Sequence, residues 1–144
     1  MARFDMELPD DILKDFEKIY DNTEDIFGAM TEAGAKVVEG VVRNTVPKSF
    51  HSFDIMRCLK LTRVYKTPSD GGINTKVAFY GYFTNENGER TPAPLVCNMF
   101  EYGSSKRKFP KRPFMRKAFG NKAAIEQAMY EAQVKASGGL LTDE

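Results

Sequence analysis

The sequence predicts an α+β domain: helices first, then an antiparallel β-hairpin or small sheet, then a C-terminal helix packed on that sheet. Three observations carry this prediction. Apolar residues recur at helical spacing between Ile12 and Val42. The stretch from Cys58 to Phe83 is rich in β-formers and is split by the turn cluster Thr67-Pro68-Ser69-Asp70-Gly71-Gly72. A second helical repeat follows Pro113 and runs into Gly138-Gly139.

The elements follow in order. Pro9 suits the first turn of a helix, and Asp10 and Asp11 favour its positive end. Ile12, Leu13, Phe16, Ile19 and Tyr20 then form its apolar stripe. Asn22 or Thr23 is the expected cap of a second helix. Its stripe reads Ile26, Phe27, Met30, Ala33, Val37, Val38, Val41 and Val42, the face of a core helix. Gly34 and Gly40 admit close approach of a neighbour, and Pro47 stops the helix. A turn or short helix is expected around Ser52–Met56. Residues 58–90 read as an antiparallel hairpin with an overhanging tip, and Asn87-Gly88 suits positive φ in the next turn. Residues 91–102 suit either a short helix or a third strand, with helix preferred. A loop over 103–113 leads into one last helix from Pro113 to about Ala136, anchored to the sheet by Phe114 and Phe119.

Composition sets the class. The chain has 144 residues, the size of one domain, with an ordered core expected over about 8–137. Hydrophobic residues make up 42% and charged residues 28%, which excludes a disordered chain. No apolar run reaches the roughly 20 residues that span a bilayer. Met1 to Asp5 lacks the apolar stretch of a secretory signal. Cys58 and Cys97 stand apart without a CxxC, so half-buried thiols are expected rather than a disulfide framework or zinc site. His51 has no second histidine with which to share a metal. No catalytic residue, metal or cofactor is expected. GxSxG, P-loop and HExxH patterns are absent, and the paired acids Asp10/Asp11 and Glu24/Asp25 sit where helix starts explain them.

The net charge of +1 hides a strong asymmetry. Residues 1–32 carry ten acids and three bases, whereas residues 104–122 carry eight bases and no acid. Ends of opposite sign attract neighbouring copies of one chain, or form a solvated surface. The basic end contains the most informative segment: Phe100-Glu101-Tyr102-Gly103-Ser104-Ser105, then Lys106-Arg107-Lys108, then Pro110-Lys111-Arg112-Pro113-Phe114-Met115-Arg116-Lys117-Ala118-Phe119. Gly103 permits a turn that a Cβ hinders, and Ser104 and Ser105 can bond local backbone. Pro110 and Pro113 stiffen the loop. Arg112 and Arg116 each suit a forked pair with a carboxylate. Glu101 is the nearest candidate, and the acids of the first helix on a neighbouring copy are others.

This segment resembles the E-[FY]-G-[ST] … P-x-R-P-[FW]-[LM]-R-x-A pattern of the head–tail joining, or tail-completion, neck proteins of long-tailed bacteriophages. The order of elements upstream is similar too, so the resemblance covers about residues 10–136. One departure stands out. The family often shows Thr-Gly-x-Leu before the first strand, where this chain has Ser49–Phe53 and Asp54–Arg57.

The resemblance implies a structural virion protein of the neck without enzymatic activity, made in the host cytoplasm. It implies a homo-oligomeric ring, with six-fold order expected and other orders open. It also implies contacts with a head–tail adaptor or connector, a tail terminator or tail-tube protein, with no membrane partner. Glu101, Tyr102, Gly103, Ser104, Lys106, Arg107, Lys108, Lys111, Arg112, Pro113, Phe114 and Arg116 are its candidate interface residues. The alternative is a nucleic-acid binder, because Lys106–Lys117 interleaves bases with Phe109 and Phe114, suited to phosphate contact and base stacking. A milder form joins the two readings: basic loops touch packaged DNA non-specifically.

Overall fold

The computed structural model describes residues 9–52 and 54–141, without the side chains of His51 and Ser52. The expectations for Met1–Asp5, for the His51 side chain and for the last tail residues lie outside the described residues. The fold is α+β, with helices around small antiparallel sheets and a C-terminal helix.

Two helices start the chain, α1 over Asp10–Asp21 and α2 over Thr23–Thr45. The expected cap between them works the other way. The Asn22 side chain donates to the Lys18 carbonyl and Thr23 Oγ1 to that of Ile19, so both close α1 and neither caps α2. The Ile26 N–H reaches back to the Asn22 carbonyl, so the chain resumes helix at once. α2 buries Ile26, Gly28, Gly34, Ala35, Val38 and Val42. Its stripe is therefore rotated from the sequence expectation: Phe27 is exposed, and two glycines and an alanine lie inward. Two neighbours press on α2 where it lacks side chains. A Cβ on Gly28 stands 3.3 Å from Val64, and one on Gly34 only 3.0 Å from Met129. Gly40, by contrast, faces open space.

After the short helix α3 (Lys48–Ser52) and a 3-10 turn (Asp54–Cys58), the hairpin forms as expected but in two pieces. β1 (Leu59–Leu61) pairs antiparallel with β4 (Val77–Phe79), in the register Leu59↔Phe79. β2 (Tyr65–Lys66) pairs with β3 (Ile73–Asn74) at the tip. The tip is tied to α2 by an ion pair between Lys66 and Glu24 and by the hydroxyls of Thr31 and Thr75 at 3.1 Å. A second hairpin, β5 (Tyr82–Thr84) with β6 (Arg90–Pro92), turns on Asn85, whose Oδ1 accepts the N–H groups of Asn87 and Glu89. Of Asn87-Gly88, only Gly88 takes positive φ. Residues 91–102 supply both options: β6 ends at Pro92, and α4 runs over Ala93–Tyr102.

The last helix is two helices. α5 covers Met115–Phe119 and α6 Lys122–Ala136, broken at Gly120-Asn121. Pro113 precedes α5 by two residues rather than starting it. Phe114 does pack on the sheet, edge-on to Phe79 at 6.1 Å, but Phe119 is exposed. α6 lies along α2, with Ile125 and Met129 over Gly34. The positive φ of Gly138 and Gly139 ends it, the Gly139 N–H bonding the Val134 carbonyl.

The core centres on Phe50, which is fully buried. Its ring meets Phe79 at 5.9 Å, Phe100 at 4.7 Å and Phe114 at 5.3 Å, all edge to face. Such pairs add about 0.5–1.5 kcal/mol each beyond burial. Three regions thus share one ring: the end of α4, the start of α5 and strand β4. Phe50→Ala is expected to lower the unfolding free energy by about 3–5 kcal/mol, measured by urea denaturation.

Candidate functional site: a clamped basic elbow

The segment between α4 and α5 is built from consecutive hydrogen bonds off the end of α4. The Gly103 N–H bonds the Met99 carbonyl at 2.8 Å, and the Arg112 N–H bonds that of Phe100 at 2.6 Å. Between these points the chain leaves and returns. Ser104 and Phe109 exchange both backbone hydrogen bonds at 2.9 Å, so the backbone of Ser104 closes the loop. Gly103 is essential here. Its φ is +75°, and a Cβ would stand 2.8 Å from the Phe109 carbonyl oxygen.

Glu101 provides the third tie. Its carboxylate is buried, and it takes the place of a capping residue for α5. Oε2 accepts the N–H groups of Phe114 at 2.9 Å and Met115 at 3.1 Å. Oε1 accepts the N–H of Arg116 at 3.0 Å and its Nε at 3.2 Å. Arg116 Nη2 then donates to the Glu101 carbonyl at 3.2 Å. The first N–H groups of a helix lack internal partners and carry partial positive charge, so an anion there satisfies both needs. Burial alone pushes this carboxyl up. The backbone donors of Phe114, Arg116 and Met115, with the Arg116 guanidinium, outweigh it and hold the group below the usual carboxylate range. One turn back on α4, the Cys97 thiol is pushed up to about 11 by burial and by the Glu101 charge, so it stays protonated and unreactive at neutral pH.

The predicted site residues therefore divide by position. Glu101 and Phe114 are buried and hold the elbow from within; Gly103, Ser104 and Pro113 shape it. Tyr102, Lys106, Arg107, Lys108, Lys111, Arg112 and Arg116 are exposed. Of the two arginines, Arg116 takes Glu101. Arg112 instead lies over the Phe109 ring, 5.9 Å from its centre. Lys48, Lys111, Arg112 and Lys117 surround a shallow hollow beside Pro47 and Pro113. Lys48 was not singled out from sequence, because only folding brings α3 beside the elbow. Among the described residues, no group of three or more His, Cys, Asp or Glu is placed to hold a metal ion. Nor, among them, is any helix long and apolar enough to cross a membrane.

Two outcomes test the clamp. Glu101→Gln leaves backbone donors facing an amide that can accept only on one side. It is expected to cost about 2–4 kcal/mol at neutral pH. Because the folded carboxyl titrates below its unfolded value of about 4.3, its stabilisation is fully present above that pH. It is lost as pH falls through the folded value. The gap between the urea midpoints of the two proteins should therefore narrow as pH falls below about 4.3 and close below the folded value. Gly103→Ala, which forces a Cβ against backbone at positive φ, is expected to cost about 1–3 kcal/mol in the same assay.

No protein-family model, curated protein or solved structure matches this chain.

Proposed function

We propose that this chain is a structural, non-catalytic subunit of a tailed-phage neck, a tail-completion or head–tail connector protein that assembles into a ring joining tail to head. The observation that carries this reading is the clamped elbow. A buried carboxylate and a glycine fix a hairpin whose Lys106, Arg107 and Lys108 all point outward. Cationic and braced by Phe100 and Phe114 on the Phe50 ring, it is suited to docking on an acidic surface with little loss of entropy. The chain carries such a surface itself, since α1 has five acids and two bases. Opposite patches on different elements suit the head-to-tail contacts that close a ring. An adaptor, connector, terminator or tail-tube protein would meet the same elbow from the next layer, and packaged DNA could touch its basic tip.

Nucleic-acid binding is the second reading, favoured by the exposed tip and by the cationic hollow at Arg112. The aromatic part of that reading is weaker. Phe109 packs on Phe100 at 4.9 Å and Phe114 is buried, so neither ring is available to stack a base.

The triple variant Lys106→Ala, Arg107→Ala, Lys108→Ala should unfold within about 0.5 kcal/mol of the parent. It should lose closed rings, with or without phage neighbours, by mass photometry and electron microscopy. In a phage carrying the gene, Arg112→Ala should impair tail joining and leave filled heads intact. Rings and infectivity unchanged in both variants would contradict the proposal. A salt-dependent shift of duplex DNA by the monomer, abolished in the triple variant, would favour the second reading instead.

A further inference from the structure

Four cations meet around one hollow of about 610 Å³ beside Pro47 and Pro113. Lys48 stands at the start of α3, Lys111 and Arg112 lie on the returning arm of the elbow, and Lys117 lies on α5. All four are exposed. Among the described residues no carboxylate lines the hollow, and none of the four cations takes part in an ion pair. Elsewhere the chain does pair its bases: Lys36 takes Glu32, Arg43 takes Glu39 and Arg57 takes Asp54.

Both walls of the hollow are tied to the core. On one side the Pro47 carbonyl accepts the Phe50 N–H at 2.8 Å. The Phe50 ring meets that of Phe114, next to Pro113, at 5.3 Å. On the other side the Arg112 N–H bonds the Phe100 carbonyl at 2.6 Å, and the Arg112 guanidinium lies over the Phe109 ring. Lys117 rides on α5, whose start Glu101 fixes through three backbone N–H groups. Like charges carried on fixed backbone repel one another, and an anion among them turns that repulsion into attraction.

We propose that this hollow binds the phosphodiester backbone of nucleic acid, without regard to sequence. Three features favour phosphate over the carboxylates of an acidic protein. Three of the four cations are lysines, point charges suited to phosphate, whereas carboxylates favour the forked guanidinium of arginine. The hollow has room for about twenty waters at roughly 30 Å³ each, so it takes more than one charged group. The bases also continue past the hollow to Lys106, Arg107 and Lys108, and residues 104–122 contain no acid. A track of one sign suits a polymer that carries a charge at every step. The two phenylalanines of the segment leave the bases unread: Phe109 packs on Phe100 at 4.9 Å and Phe114 is buried. Contact is therefore with the backbone, which fixes position and carries no sequence information. The site goes beyond the ring reading and does not rest on it, because a single copy of the chain carries all four cations.

The test is fluorescence anisotropy of a short labelled DNA duplex, titrated with the purified chain at several salt concentrations. The logarithm of the affinity falls against the logarithm of salt by about 0.9 for each phosphate neutralised. Lys48→Ala with Lys117→Ala removes two cations, and should reduce that slope by about two and weaken binding about tenfold or more. The urea midpoint of this variant should match that of the parent, since neither lysine is in an ion pair. Lys14→Ala with Lys60→Ala makes the same change in net charge away from the hollow, and should hold the affinity within about threefold. The tip variant Lys106→Ala, Arg107→Ala, Lys108→Ala should still bind, and duplexes of unrelated sequence should bind alike. A parent chain that ignores duplex at low salt would overturn the proposal, as would equal losses in the hollow and control variants. Binding abolished in the tip variant would move the contact to the tip. Polyglutamate of equal charge that displaces the duplex as well as unlabelled duplex does would assign the hollow to an acidic protein surface, and the phosphodiester site would be lost.

Discussion

The carboxylate of Glu101 lies where the end of one helix meets the start of another. It accepts three successive backbone N–H groups, those of Phe114, Met115 and Arg116, and one guanidinium N–H. Backbone donors cannot be exchanged for water without opening the α4–α5 junction. The direction of α5 is thereby fixed relative to α4, and with it the hairpin between them. The same junction sets Phe100 and Phe114 against Phe50, so the hydrogen bonds and the aromatic core reinforce each other. A charged acceptor suits this role because hydrogen bonds to ions are stronger than neutral ones, and a helix start supplies donors in a fixed fan.

Glu101 is engaged through both carboxylate oxygens by backbone and arginine donors, and Cys97 beside it is a protonated thiol. Solvent meets a run of cations on the elbow and five acids with two bases on α1. The neck proposal draws on the basic elbow and the acidic first helix.

The sequence conveyed the order of elements well, because helical periodicity, the Thr67–Gly72 turn cluster and the terminal glycines are local signals. It conveyed facing less well. Phe27 looks like core, but α6 and the hairpin need close approach to α2, and that turns Gly28, Gly34 and Ala35 inward instead. The break at Gly120-Asn121 was hidden by apolar residues that keep helical spacing on both sides of it. At the elbow, the requirement for Gly103 was legible from residue type, and so was a tie between Glu101 and an arginine. The main partners of Glu101 were not, because backbone N–H groups have no signature in side-chain sequence. Lys48 and the hollow beside it arise only when α3, the elbow and α5 come together.

The most direct measurement is an electron cryo-microscopy map of the chain in its assembled state. Residues 103–119 should be buried against another subunit or an adjoining virion protein, with the cations of the elbow facing carboxylates or phosphate. A map in which this segment faces solvent and touches no other chain would contradict the account.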